Sequence, residues 1–291
     1  MEICVLSDLH LDFWVKPNLS TDKQKEKIKE FIYDSQPYKA DVLIMPGDIS
    51  HYPKQIEMLC IVLKEMNLWN KILLTFGNHE MYLVSGNQKS DYRTSWDKIL
   101  HIKELLEDIE DVHFMDGDLV QYKGINIGGF GSWYDFSYGI DNFNETKESM
   151  LLNWKKIMND SNYIKGDKIV SELMPSPMYT SSYSKIYNFH PLDFFEKEKK
   201  KLLKILPHAD IMFSHIGPVV PELPLKFKNL VTGFYYFKGE ELVEKYKPKM
   251  WFFGHTHDLY HFNYANTEFL CNPVGYPGEK ANAKIVGLEF Q

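Results

Sequence analysis

The chain has 291 residues, 44% of them hydrophobic and 25% charged, with a formal net charge of −7. That profile fits a globular protein with a substantial core; no apolar run reaches a membrane span, and the acidity disfavours a non-specific nucleic-acid binder, which carries a basic face. Arg93 is the one arginine among 33 basic residues, so bidentate guanidinium clamps on phosphate are nearly absent, and any phosphate chemistry must draw on metal ions and histidines.

In chain order, Glu2–Ser7 reads as a buried strand that stops at Asp8. Ser20, Thr21 and Asp22 offer capping side chains for a helix whose apolar positions are Ile28, Phe31 and Ile32. Asp41–Met45 is a second strand, closed by Pro46-Gly47, and Pro53 opens a helix running to Met66. Lys71–Phe76 is a third strand, closed by Gly77. This alternation predicts a parallel sheet with crossover helices, continued by a helix over Trp96–Asp108 and strands at Val112–Met115 and Ile125–Gly129. The regularity then breaks over 132–191, a segment rich in tyrosine, asparagine, serine and proline with one helical stretch at Glu145–Met158. A helix over Leu192–Leu206 and a strand at Asp210–Phe213 follow, and strands at Met250–Phe253, Leu259–Asn263, Glu268–Leu270 and Lys284–Glu289 end the chain. The lysine run Lys197–Lys201 reads as a solvated helix face. Cys4, Cys60 and Cys271 lie far apart with no CxxC pair, and the N-terminus has no basic leader, which together predict reduced core thiols in a cytoplasmic protein.

Metal-suited residues recur where the strands end. Asp8-Leu9-His10 follows the first, Gly47-Asp48 the second and Gly77-Asn78-His79-Glu80 the third, while Ser214-His215 and Gly254-His255-Thr256-His257 follow two later ones. Open α/β sheets bind ligands beyond the carboxyl ends of their strands. In extended chain, residues i and i+2 point the same way, so Asp8 with His10, and His255 with His257, each send two donors to one place. Mixed nitrogen and oxygen donors suit manganese, iron or zinc. Glycines 47, 77 and 254 are expected to allow sharp turns beside the donors.

Taken in order, these blocks resemble the metal-binding blocks of the calcineurin-like metallophosphoesterases, over residues 8 to 257. The resemblance implies a four-layer α/β/β/α sandwich of two mixed sheets flanked by helices, in one domain spanning 1–291, with 132–191 as a cap or lid. It implies one divalent ion on Asp8, His10, Asp48 and His257 and another on Asp48, Asn78, His215 and His255, with Asp48 bridging. His79 corresponds to the catalytic histidine. The implied reaction is hydrolysis of a phosphate ester, more readily a diester, by a hydroxide generated between the two ions.

His51 stands three residues after Asp48, where purple acid phosphatases place a tyrosine ligand, and the segment Ile49–Lys54 lacks the DRG block of protein phosphatases. The SDLHL and GHTH blocks are more similar to a bacterial and phage branch of small phosphoesterases. Arg93, Trp133 and Tyr134 are candidates for substrate contact. A small phosphoester or nucleotide substrate is expected, and membrane association is not. A nuclease acting on DNA or RNA, a phosphomonoesterase or nucleotide pyrophosphohydrolase, and a non-catalytic scaffold of the same fold stay open as alternatives.

Overall fold

A computed structural model describes residues 1–35, 39–166 and 188–279, and the backbone of 168–169, 187 and 286–289. The first sheet grows from β1 (Glu2–Val5), which leads through the single helical turn α1 (Leu11–Trp14) to α2 (Thr21–Asp34). β2 (Ala40–Met45), α3 (Pro53–Met66) and β3 (Trp69–Leu74) follow, then the short α4 (Asn78–Met81) and α5 (Gly86–Asp91), α6 (Ser95–Glu107) and β4 (Val112–Phe114). The second sheet starts with β5 (Asp118–Tyr122) and β6 (Ile125–Phe130). Three helices come next, α7 (Ser137–Phe143), α8 (Lys147–Ile157) and α9 (Asp160–Tyr163), and after them the two-residue strands β7 (Lys168–Ile169) and β8 (Tyr187–Asn188). The chain closes with α10 (Pro191–Ile205), β9 (Ile211–Ser214), α11 (Glu240–Tyr246), β10 (Met250–Phe253), β11 (Tyr260–Tyr264), β12 (Thr267–Cys271) and β13 (Val286–Glu289).

One sheet has the order β13-β1-β2-β3-β4, and the other β11-β12-β10-β9-β6-β5. Each is parallel at its centre, with antiparallel strands at its edges: β13 on the first, β11 and β5 on the second. Alternation along the strands makes the layers. Ile3, Val5, Val42, Ile44 and Leu73 pack against Ile127, Ile211, Phe213, Phe252 and Leu270 to form the core between the sheets. Their neighbours Cys4, Leu43, Met45 and Leu74, and Met212, Trp251, Phe253 and Phe269, belong to the larger core shared with the helices. A strand buried on both faces has no polar side to show, which is why these segments read as continuous apolar runs. The two sheets flanked by helices match the expected architecture.

Several local expectations change. Ser20 occupies the N-cap of α2, but its side chain makes no capping bond. β5, α7 and α9 lie where no regular element is predicted, because short half-exposed segments carry no clear period. The lysine run is not a uniform solvated face: Lys201 bonds to Asp116 and to the buried Glu198, with its ammonium 4.7 Å from the Trp96 ring. All three cysteines are buried free thiols. Within the segment 132–191, residues 167 and 170–186 lie outside the described residues, and the cap expectation falls partly on them.

Candidate metal centre

The parallel strands deliver their carboxyl ends to one side, and the loops there are tied together before any ligand is considered. Glu80, 1% exposed at the start of α4, accepts hydrogen bonds from the backbone amides of Asp48, Ile49, Ser50 and Gly77. It thus clips the loop after β2 to the loop after β3. The His10 amide donates to the Asp48 carbonyl (3.0 Å), and the His255 amide donates to Asp8 Oδ1 (2.8 Å), which joins the ends of β1, β2 and β10.

Left-handed backbone marks the same places. Asp8, His10, Asp48, His255 and His257 have φ of 50, 43, 53, 70 and 54°. Such conformations are uncommon away from glycine and persist where the surroundings over-determine them, typically at functional sites. The glycines act differently from expectation. Gly47 does adopt φ 85°, but Gly77 sits at φ −111°. A Cβ on Gly77 would stand 2.2 Å from Asp48 Oδ1, and one on Gly254 2.7 Å from Asp8 Oδ2. These two positions are glycine because the carboxylates pass too close for any side chain.

The ligand atoms of Asp8, His10, Asp48 and His257 converge within 4.8 Å of one another, and so do those of Asp48, His215 and His255. Asp48 belongs to both groups and offers one oxygen to each: Oδ2 is 3.8 Å from His10 Nε2, and Oδ1 is 3.5 Å from His215 Nε2. His10 and His257 approach through Nε2 at 2.8 Å, and His257 Nε2 is 3.8 Å from Asp8 Oδ1. His215 Nε2 lies 3.1 Å from Asn78 Oδ1 and 3.2 Å from His255 Nδ1, adding Asn78 to the second group. Donors bound at about 2.1 Å to one ion stand about 3.0 Å apart in an octahedron and about 3.4 Å apart in a tetrahedron. The observed separations fall around those values.

Protonation also suits cations. Asp8, Asp48, Glu80 and Asp160 are all at most 1% exposed. Burial raises the Asp48 carboxyl well above the usual carboxylate range, and Glu80 and Asp8 push it further. Such a concentration of buried acid asks for positive charge that no arginine supplies. Burial lowers His10, His79, His215 and His255, so the rings are neutral with lone pairs free to ligate. Asp8 Oδ2 and His10 Nδ1 are buried without a hydrogen-bond partner. The residues fit a pair of divalent ions.

A second layer of contacts holds the donors, and most of it escaped the sequence reading. His215 Nδ1 faces the Pro46 carbonyl at 2.9 Å, and His257 Nδ1 faces Glu279 Oε2 at 2.9 Å. Asn78 Nδ2 donates to Asp160 (3.1 Å), the completely buried first residue of α9, which also accepts from the hydroxyls of Tyr82 and Tyr134. His79 lies with Nε2 3.9 Å from Asp48 Oδ2 and 3.0 Å from the Tyr276 hydroxyl, while the Tyr276 ring stacks on His10 at 4.2 Å. His51 pairs with Asp12 at 2.7 Å, its ring 4.5 Å from that of His79.

Trp133 and Tyr134 need correction as candidates for substrate contact. They are 1% and 0% exposed, Trp133 packs against Phe189 and Phe194, and the Tyr134 hydroxyl is committed to Asp160 and Trp154. Neither offers a ring face to an incoming molecule. Arg93 is exposed in the turn between α5 and α6, outside both ligand groups.

The profile of the calcineurin-like phosphoesterase family matches residues 1–259. No protein of curated function matches the chain in sequence. Among solved structures, the phosphopantetheinyl hydrolase of Mycobacterium tuberculosis aligns with a TM-score of 0.65 at 15% identity, covering 98% of this chain and 95% of that one. The protein TT1561 of Thermus thermophilus aligns at 0.49 with 11% identity, covering 94% and 89%. At 15% identity the likeness to the phosphopantetheinyl hydrolase is one of fold.

Proposed function

This chain belongs to the calcineurin-like phosphoesterase family, and from that premise we propose that it is a two-metal hydrolase of phosphate esters, with a preference for diesters. The carrying observation is Asp48, whose two oxygens face separate donor groups and so suit a carboxylate shared between two ions. In this reading Asp8, His10, Asp48 and His257 hold one ion, and Asp48, Asn78, His215 and His255 hold the other. The mixed donor set favours manganese, iron or zinc. When bound, such a pair supplies an acidified water as nucleophile and offsets the charge of the phosphoryl oxygens.

The protein's own groups then orient and protect. Glu80 fixes two of the donor loops through four backbone amides, holding donor geometry against the repulsion of like charges. His79 is neutral in the resting protein because burial disfavours its cation. It therefore acts as a neutral hydrogen-bonding ring beside the reacting centre, next to the Tyr276 hydroxyl, where its N–H can donate a hydrogen bond to the departing oxygen without giving up the proton. The diester preference follows from charge. A diester brings one negative charge and a monoester two, and among the described residues at the edge of the site Asp258 and Glu279 stand against the one ammonium of Lys226. No helix among the described residues is long and apolar enough to cross a membrane. The three free thiols support a reducing, cytoplasmic setting.

Turnover of bis-p-nitrophenyl phosphate and p-nitrophenyl phosphate, measured after chelation and again after adding manganese, tests the proposal. Metal-restored activity that is at least ten-fold higher on the diester is expected. Equal rates would remove the diester preference, and inertness toward both with ions bound would turn the reading toward a scaffold.

A further inference from the structure

A cavity of about 610 Å³ opens beside the donor groups. His257 and Glu279 form its inner edge, so it is continuous with the candidate metal centre. Tyr235, in its wall, lies with its ring 4.8 Å from that of His255. A group joined through one ester oxygen to a phosphorus held between the two donor sets would therefore enter this cavity directly.

The walls say what kind of group that is. Leu223, Phe227, Val231, Tyr235 and Tyr260 supply apolar and aromatic surface. Of the polar side chains among them, Asn229, Thr232, Thr256 and Glu279 are engaged within the protein, while the Tyr235 and Tyr260 hydroxyls, the Asp258 carboxylate and the Lys226 ammonium also line the cavity. Asn229 donates to the Lys226 carbonyl and accepts from the Val231 amide, Thr232 donates to the Phe227 carbonyl, and Thr256 donates to the Asp258 carbonyl. Glu279 is held by His257 and by the Tyr276 amide. The aliphatic and aromatic walls favour recognition by shape and apolar contact, with the Tyr235 hydroxyl and the Asp258 carboxylate beside them on the lining. Among the described lining residues the carboxylates Asp258 and Glu279 stand against one exposed ammonium, Lys226, and such walls repel further anions.

We propose that this cavity is the substrate-specificity pocket, and that it takes an uncharged, predominantly apolar group, such as an aryl ring, esterified to the phosphate. The inference rests on the hydrolase reading above and adds the class of substrate: monoanionic phosphodiesters of apolar alcohols, in preference to polynucleotides and polyphosphates.

The test compares methyl and phenyl esters of p-nitrophenyl phosphate on the manganese-loaded protein, together with binding of methylphosphonate and phenylphosphonate by calorimetry. The phenyl member is expected to win by ten-fold or more in kcat/KM, carried mainly in KM, and by a similar factor in Kd. Val231→Trp, which adds bulk to the cavity wall, should reduce the phenyl advantage to less than two-fold. Val231→Phe should give an intermediate loss, with near-UV circular dichroism checking that both variants fold. No phenyl advantage in the wild type, or an advantage untouched in a folded Val231→Trp, overturns the pocket assignment. Absence of turnover with either ester, alongside a phenylphosphonate preference that Val231→Trp removes, would overturn the hydrolase reading while keeping the pocket.

Discussion

The two donor groups that share Asp48 are built to different tolerances. His215, His255 and Asn78 are buried, and each is held by a further contact: His215 by the Pro46 carbonyl, His255 by the Phe234 carbonyl at 3.2 Å, and Asn78 by Asp160. In the other group Glu279 faces His257 Nδ1 and the His255 amide donates to Asp8 Oδ1, but Asp8 Oδ2 and His10 Nδ1 have no partner and His257 leaves 19% of its side chain exposed at the edge of the cavity. Donors with fixed orientation lose little entropy on binding an ion, while an open edge leaves room for substrate. The buried group should therefore hold its ion tightly, and the edge group should exchange its ion and meet the substrate.

Asp48→Asn strikes both groups and is expected to have the largest effect, a loss of 10³-fold or more in kcat with both ions weakened, as read by turnover and by metal content after dialysis. Wild-type activity in a reconstituted Asp48→Asn protein would end the shared-carboxylate assignment. His257→Ala should cost about 10²-fold or more in activity and leave one ion per chain, because only the edge group loses a donor. Loss of both ions on dialysis would erase the proposed contrast. Asp160→Ala leaves every donor in place but removes the acceptor that holds Asn78, so the affinity for the buried ion should fall about 10-fold with the edge ion unchanged. Metal titration by calorimetry separates the two outcomes, and an unchanged first affinity would make Asp160 a packing residue only.

A stability effect concerns the buried support beside the donor loops. Lys98 is fully buried, its ammonium donating to the Tyr82 carbonyl at 2.7 Å, and burial lowers its pKa to about 7. The unfolded chain holds that proton up to about pH 10.4, so between the two values it binds more protons than the folded protein, and stability rises with pH. One such proton contributes at most about 1.4 kcal/mol per pH unit. Urea unfolding between pH 7 and 10 should show this rise in the wild type and a flatter profile in Lys98→Met. Parallel profiles would mean that Lys98 remains charged in its burial site.

Much of the donor set was legible because its signals are local. Asp8, Asp48, Asn78, His215 and His255 each stand just past an apolar run, and strand periodicity with a turn residue suffices to place them there. Trp133 and Tyr134 misled for the same reason. An aromatic cluster in an irregular segment looks the same in sequence whether it lines an opening or fills a core, and the packing of Phe189 and Phe194 decided for the core.

What holds the donors is another matter, because those partners arrive from far along the chain. Asp160 meets Asn78 across 82 residues, Tyr276 meets His79 across 197, and the cavity walls combine segments near 223–236, 256–260 and Glu279. The sequence by itself determined which residue types gather at the strand ends, since backbone period and turn chemistry act over a few neighbours. Only the tertiary structure decided that Asp48 turns its oxygens toward two donor groups, that one group is more enclosed than the other, and which side chains line the cavity at the open edge. Those outcomes depend on distances between segments that no local pattern encodes.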